Sequence, residues 1–218
     1  MKKLYYLLMV SIFAVASCQE PQYIDPTADR QGITSLTARF TSTSEKYENQ
    51  VLAKLNVADP EANEFIIPVP WFYPEESTDP TSIHMTRVRL EAELAPNCRI
   101  DPPLAMVDLT EENYYTFTNA QGESREIMIT GKRTKSAKCN LMTFTLTKPY
   151  QIEGFIDDDK KEVYLFTTDD LNGFSGEATV CAHATLQTDL TVKKNYNNEQ
   201  EVTVMAQDEK TTCTYKII

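Results

Sequence analysis

The sequence predicts an all-β fold in which two tandem Ig-like β-sandwich domains follow a signal segment and a short tether. Short alternating runs rich in Thr, Val, Ile, Tyr and Phe follow one another along the chain, and no long apolar stripe recurs at helical spacing. The order of these runs occurs twice, and a repeated unit of roughly 80 to 105 residues built from short strands has the size of one Ig-like sandwich. We therefore expect the first domain at residues 32–136 and the second at residues 137–218.

The N-terminus has the composition of a secretory signal. Lys2 and Lys3 precede an apolar run at residues 4–16, which is shorter than the roughly 20 residues that an apolar helix needs to span a bilayer. The run ends in "VASC", which resembles the cleavage and lipidation site of bacterial lipoproteins. This resemblance implies that residues 1–17 are removed as a lipoprotein signal peptide and that Cys18 carries the lipid anchor. An ordinary signal peptide with an incidental cysteine is the alternative.

A lipid on Cys18 would make a membrane the first partner of the chain, because buried acyl methylenes hold a protein at the bilayer surface. We interpret residues 18–31 as a flexible tether, since they contain prolines and few apolar side chains. Gln19 stands where lipoproteins kept at the inner membrane often carry Asp, so the resemblance favours the outer membrane. Acidic residues near the lipidated cysteine mark export to the outer face in Bacteroidetes, and this tether contains Glu20, Asp25 and Asp29. We expect a lipid-anchored, surface-exposed protein of the cell outer membrane, with a periplasm-facing position as the alternative.

The charge of the chain limits the partners that it can have. The formal net charge is −11 at pH 7, which argues against nucleic acid and anionic lipid as ligands. The stretch "GKRTKSAK" at residues 131–138 interrupts this acidic chain at the predicted domain boundary. We interpret it as a solvated linker; contact with an acidic partner is the alternative.

Cysteine spacing predicts neither a metal site nor a particular disulfide. An envelope compartment permits disulfides, and four cysteines beyond Cys18 allow three pairings. Their spacing resembles no metal site, and the acidic stretch at residues 157–159 lacks the donor spacing and the glycine of a calcium loop. We expect no metal ion and no other cofactor. The four cysteines are Cys98, Cys139, Cys181 and Cys213.

Three pairs of segments carry the internal repeat. "ITSLTARF" corresponds to "LMTFTL", "ADPEANEFII" to "IDDDKKEVYL", and "FTNAQGESREIMI" to "VMAQDEKTTCTYK". With the "I-D-P-P" turn at residues 100–103, these motifs resemble the tandem Ig-like domains of uncharacterised Bacteroides lipoproteins, which are assigned to a domain of unknown function. The resemblance implies a fold and a compartment, and no known activity.

The sequence contains no reaction motif, so we expect a protein that is not an enzyme and has no catalytic residues. Neither of the two histidines, His84 and His183, lies near a Ser or Cys in a nucleophile pattern, and alternation places His183 in a strand. The acidic pairs Glu75–Glu76 and Glu111–Glu112 are the only basis for a hydrolase. Glycoside hydrolysis would be excluded if no two carboxylates shared a concave pocket within roughly 10 Å of each other.

The stretch "PVPWFYPEE" at residues 68–76 contains the only tryptophan and is the best candidate for a ligand site. Its prolines cannot donate to a strand ladder, so we expect it at a sheet edge. The first repeat also carries extra residues just after it, in "PEESTDPTS", and loops beside a rigid sandwich are where such folds bind ligands. Aromatic faces stack on sugar rings and carboxylates accept hydrogen bonds from hydroxyls. The candidate ligand-binding residues are Trp71, Phe72, Tyr73, Glu75, Glu76 and Asp79.

Several interpretations remain open on the sequence alone. In one, Trp71 closes the open end of the first core while Phe72 and Tyr73 face outward. For the whole protein, we expect a non-enzymatic surface lipoprotein that binds a polysaccharide or another surface ligand through its first domain. The alternative is a structural or accessory subunit of an outer-membrane uptake or adhesion complex, whose partner would be an outer-membrane protein.

Overall fold

The computed structural model describes residues 32–42 and 45–218 of the chain. The predicted signal peptide, Cys18 and the tether at residues 18–31 therefore lie outside the described residues. Strands dominate the described part, which confirms the predicted all-β sandwich fold. No helix among these residues is long and apolar enough to cross a membrane.

The first unit, residues 32–134, consists of two four-stranded sheets. One sheet has the strand order β2-β1-β4-β6 and the other the order β3-β8-β7-β5. The elements are β1 (Ile33–Phe40), β2 (Val51–Asn56), β3 (Glu64–Pro70), α1 (Ser82–Met85), β4 (Val88–Leu94), β5 (Arg99–Asp101), β6 (Met106–Val107), β7 (Asn113–Thr118) and β8 (Ser124–Thr134).

The second unit, residues 139–218, repeats this plan. Its strands are β9 (Leu141–Lys148), β10 (Ile152–Asp157), β11 (Glu162–Leu165), β12 (Asn172–Val180), β13 (Thr185–Leu186), β14 (Lys194–Asn195), β15 (Gln200–Met205) and β16 (Thr212–Ile217). The order β10-β9-β12-β14 matches one sheet of the first unit, and β11-β16-β15-β13 matches the other. Pairing between β10 and β11 joins the two halves into one eight-stranded sheet. The three segment pairs of the sequence repeat thus occupy equivalent positions in the two units.

Each unit has its own core because its strands alternate in burial. In β3, Phe65, Ile67 and Val69 are buried, and the residues between them are exposed. β3 is the edge strand of its sheet and pairs only with β8, in parallel register. Its other edge forms no hydrogen bonds to a neighbouring strand, so Pro68 and Pro70, which lack an N–H, interrupt no pairing there. The edge position predicted from the prolines is confirmed. A separate cluster that includes Phe144, Phe174 and Tyr215 fills the second unit.

The basic stretch at residues 131–138 is a solvated linker only in its second half, where residues 135–138 connect the two units and Lys135 and Lys138 are exposed. Residues 131–134 form the end of β8 and pair with the end of β3. Lys135 forms an ion pair with Glu209, with 2.6 Å between Nζ and Oε1, and Lys138 forms another with Glu75. The acidic partner of this stretch therefore belongs to the same chain.

Two further details of the second unit complete the fold. A disulfide joins Cys139, just before β9, to Cys213 in β16, which rules out the pairings that would join either of these cysteines to Cys98 or Cys181. The alternation of polar and apolar residues predicted His183 in a strand, and this prediction is wrong because β12 ends at Val180. His183 occupies a turn at φ 64°, between β12 and β13.

Candidate functional site at the junction of the two units

Residues 71–81, which we call the clasp, form a loop that occurs only in the first unit. Residues 71–87 connect β3 to β4, whereas only residues 166–171 connect β11 to β12. The clasp closes on itself through a bridge between Phe72 and Pro80 and a 3.0 Å hydrogen bond from the Tyr73 N–H to the Asp79 carbonyl. The insertion predicted from the repeats is thus an ordered loop, and its tip extends towards the second unit.

Tyr73, not Trp71, closes the end of the first core. Its ring centroid lies 4.7 Å from that of Phe40 and 5.1 Å from that of Tyr47. Its hydroxyl donates a 3.0 Å hydrogen bond to Oε1 of Gln50. The expectation that Tyr73 faces outward is therefore wrong, because the clasp turns this side chain back over the apolar end of its own unit.

Trp71 packs against the strand that leads to the second unit. The Arg133 guanidinium of β8 lies 3.8 Å from the centroid of the indole, and Nη2 donates a 2.9 Å hydrogen bond to the Trp71 carbonyl. Burial lowers the pKa of Arg133. Stacking of a guanidinium on an indole is among the stronger cation–π arrangements. One face of the tryptophan is therefore occupied within the chain.

Phe72 reaches across to the second unit. Its ring stacks on the ring of His183, with 4.3 Å between centroids and 21° between planes. The Nε2 atom of His183 also lies 2.8 Å from the Ser77 carbonyl oxygen and 3.0 Å from the Glu75 carbonyl oxygen. The turn that follows β12 thus fixes the clasp through one ring contact and two backbone oxygens.

Glu75 holds the clasp at a second point, on the residues that connect the two units. Its carboxylate lies 2.5 Å from Nζ of Lys138 and accepts a 2.7 Å hydrogen bond from the hydroxyl of Ser136. The Lys138 ammonium and the Ser136 hydroxyl lower the pKa of Glu75, and the same ion pair raises the pKa of Lys138. Both groups are therefore charged at neutral pH.

A cavity of about 520 Å³ lies between the clasp and the end of the second unit. Glu75 and Glu76 form one wall, and Lys138 lies where the two units meet. The opposite wall belongs to the second unit and consists of Asn140, Leu141, Met142, Ile156, Asp158, Cys181 and Ala182. The volume is within the range of small-molecule sites, roughly 300 to 1,000 Å³.

The charges around the cavity are held in defined positions. Asp158 lies 2.7 Å from Nζ of Lys161 and accepts hydrogen bonds from Asn140 and from the Tyr215 hydroxyl. The Lys161 ammonium and the Tyr215 hydroxyl lower the pKa of Asp158. Three carboxylates thus share the cavity, two of them in ion pairs, while the Glu76 side chain is exposed. The three carboxylates therefore belong to one concave site, as either a sugar-binding or a hydrolytic site would require.

The structure does not bring the six candidate ligand-binding residues to a single surface. Glu75 and Glu76 line the cavity, and Trp71 and Phe72 line a smaller adjoining one of about 180 Å³. Tyr73 packs against the end of the first core. Asp79 lies apart, 3.0 Å from the Tyr47 hydroxyl and 3.4 Å from Nζ of Lys46. Their role in ligand binding stays a prediction.

Sequence reasoning missed the wall that the second unit contributes. Met142 and Asp158 belong to "LMTFTL" and "IDDDKKEVYL", which the sequence marked only as repeat segments, and Asn140 directly precedes the first of them. Only the docking of the two units brings these residues to Glu76. One signal was present, since the basic stretch at residues 131–138 and the acidic pair Glu75–Glu76 have opposite charge. Within residues 32–42 and 45–218, no three His, Cys, Asp or Glu side chains are grouped to hold a metal ion.

Two structures of Bacteroides proteins resemble parts of this chain. A "putative glycoside hydrolase" of Bacteroides thetaiotaomicron is 24% identical over 44% of this chain with a TM-score of 0.26, and the likeness covers only 26% of that protein. A "putative secreted protein" of Bacteroides fragilis is 18% identical over 50% of this chain and 100% of its own, with a TM-score of 0.33. At these TM-scores neither structure informs the function of this chain. No curated protein sequence matches it.

Two family models match the chain, one over each half. Residues 141–218 match the family described as Domain of unknown function (DUF8499). Residues 13–131 match the family described as Domain of unknown function (DUF5018). Because this second match covers more than half of the sequence, the chain belongs to the DUF5018 family.

Proposed function

We propose that the chain is a non-enzymatic protein of the cell envelope that binds a polysaccharide in the cavity at the junction of its two units. The observation that carries this proposal is the lining of that cavity. Carboxylates, the Asn140 amide and the Lys138 ammonium lie beside the apolar side chains of Met142 and Ile156. Binding sites of this size typically combine apolar surface with a few polar groups that fix the orientation of the ligand.

A sugar ring matches this lining chemically. Its hydroxyl groups donate hydrogen bonds that the carboxylates of Glu76 and Asp158 can accept, and bonds to a charged acceptor are stronger than neutral ones. The C–H faces of the ring are apolar and can pack on Met142 and Ile156. An anionic ligand is disfavoured, because three carboxylates surround the cavity and its single ammonium is already paired with Glu75.

The proposed location follows from the N-terminal sequence. A lipid on Cys18 would hold the chain at the outer membrane, and export to the outer face would place the cavity where extracellular polysaccharides are encountered. The match to secretory and lipoprotein signals supports this location.

The electrostatics of Glu75 and Asp158 favour a binding role for these two carboxylates. A glycosidase needs one carboxylic acid whose pKa is raised so that it can protonate the leaving group. Here the pKa values of Glu75 and Asp158 are both lowered, by Lys138 and by Lys161 respectively. These two carboxylates therefore stay ionised at neutral pH and can accept hydrogen bonds, but they do not supply a proton.

Isothermal titration of the mature chain with neutral, cationic and anionic soluble polysaccharides tests this function. We expect saturable binding of at least one neutral or cationic polymer, with no release of reducing ends on prolonged incubation. Absence of binding across the panel would contradict the proposal, and release of reducing ends would contradict its non-enzymatic part.

A second candidate function is that of a structural or accessory subunit in an outer-membrane uptake or adhesion complex. The clasp favours it, because contacts from Phe72 and Glu75 hold the two units in one orientation, as a rigid spacer requires. Cross-linking in intact envelope followed by affinity purification separates the two functions. Recovery of a stoichiometric outer-membrane protein, together with no polysaccharide binding, would favour the subunit.

A further inference from the structure

We propose that the binding site continues from the junction cavity into a second hollow on the second unit, so that the ligand is a chain of several sugar units and Phe155 is its distal contact. This inference rests on the proposed function. It adds the length of the ligand and the residue that contacts its distal end. The second hollow has a volume of about 420 Å³.

The two hollows are contiguous, because Met142 and Ile156 line both of them. From these shared residues the second hollow extends between β9 and β10, along residues 142–145 on one side and 153–156 on the other. A ligand that lies on Met142 in the junction cavity therefore has a path into the second hollow without leaving the protein surface.

The topology explains why a hollow exists within a sheet. Strands β9 and β10 pair only at Ile152–Leu146 and Glu153–Thr145. From Gly154 onward β10 pairs instead with β11, so it diverges from β9 and leaves a gap between them. A Cβ atom at position 154 would lie 2.6 Å from Cγ1 of Val163 and 3.0 Å from Cδ1 of Phe144, so glycine is required where the strands part.

The hollow presents the chemistry that a sugar chain needs. Phe155 and Met142 are 61% and 60% exposed, which leaves a ring and a thioether open for the apolar faces of sugars. Thr143, Thr145 and Glu153 supply hydroxyl and carboxylate groups beside them. Apolar surface alternating with hydrogen-bonding groups along one groove suits a repeating polyhydroxylated ligand.

Matched oligosaccharides of increasing length, prepared from one neutral polymer that the protein binds, test the inference by isothermal titration. For the wild type we expect affinity to rise from the disaccharide to longer oligomers and then to level off. Phe155→Ala should weaken binding of the long oligomers by roughly 2- to 10-fold and leave the disaccharide unchanged, because only the distal contact is removed. Phe166→Ala is the matched control, since Phe166 is 78% exposed and does not line either hollow; it should behave as the wild type.

The outcomes separate this inference from the proposed function. If the disaccharide binds and longer oligomers bind no more tightly, the extended site is wrong while the junction site stands. Equal losses in the Phe155 and Phe166 variants also overturn the inference. If no oligosaccharide of any length binds, the proposed function itself fails. Circular dichroism of each variant confirms that exposed-ring substitutions leave the fold intact.

Discussion

The Phe72 ring of the first unit stacks on the His183 ring of the second, with 4.3 Å between their centroids. Phe72 belongs to an insertion that the second unit lacks, and His183 belongs to a turn at a positive φ. Neither residue is needed to close its own sandwich, since neither belongs to a core cluster. The pair therefore helps to hold the two units in one orientation. That orientation determines the shape of the cavity between them.

Phe72→Ala should uncouple the two units. An aromatic pair contributes about 0.5 to 1.5 kcal/mol beyond the burial of its area, so the loss should separate one cooperative unfolding transition into two. Differential scanning calorimetry of the wild type and the variant measures this. Phe166→Ala removes an exposed ring from the same chain and should leave a single transition; two transitions in both variants would contradict the role of the clasp.

Acid should loosen the clasp through Glu75. Its pKa is lowered in the folded protein by Lys138 and Ser136, so its contribution is present above the unfolded carboxyl pKa of about 4.3 and is lost as pH falls through the lower folded value. Because the pair is partly exposed, we expect about 1 kcal/mol or less.

Denaturant unfolding of Glu75→Gln across acidic pH measures this contribution. The variant should match the wild type at low pH and be less stable near neutrality. Glu76→Gln, which removes a neighbouring carboxylate outside the ion pair, is the control. A difference between Glu75→Gln and the wild type that is constant with pH would show that ionisation of Glu75 is not involved.

The disulfide between Cys139 and Cys213 should stabilise the second unit. It closes a loop with a sequence separation of 74. Disulfides typically contribute about 2 to 4 kcal/mol, because the closed loop lowers the entropy of the unfolded chain. In Cys139→Ser/Cys213→Ser, the free energy of unfolding of the protein should fall by that amount. Addition of reductant should change the wild type in the same direction and leave the double variant unchanged, and a wild type insensitive to reductant would contradict the bond.

Cys18→Ala should abolish lipid attachment. Labelled palmitate should be incorporated into the wild type expressed in a bacterium with a lipoprotein pathway, and not into the variant. Cys98→Ala is a matched control because it removes a cysteine that packs against the first core. Incorporation that persists without Cys18 would contradict the proposed anchor.

The strands and their repetition could be predicted from the sequence because they depend on local alternation. β3 shows this, since Phe65, Ile67 and Val69 are buried at every second position and Pro68 marks the strand as an edge. The insertion could be predicted as well, because it interrupts the correspondence between two repeats.

The contacts of the insertion could not be predicted, because they depend on how two separately folded units dock. No local pattern relates Phe72 to His183 or Glu76 to Asp158, which are distant in sequence. Alternation placed His183 in a strand, although β12 ends before it and the ring turns towards the clasp. The one sequence feature that indicated docking was the opposite charge of residues 131–138 and of the pair Glu75–Glu76.

Methionine-methyl NMR tests the central claim most directly, because Met142 lies where both hollows meet and Met106 lies on the first unit, outside both. The protein, labelled at the methionine methyl groups and assigned with Met142→Leu and Met106→Leu, is titrated with a polysaccharide that it binds. We predict that the Met142 resonance shifts to saturation while the Met106 resonance, which is also exposed, stays in place. Saturable binding that leaves Met142 unshifted would contradict a site at the junction.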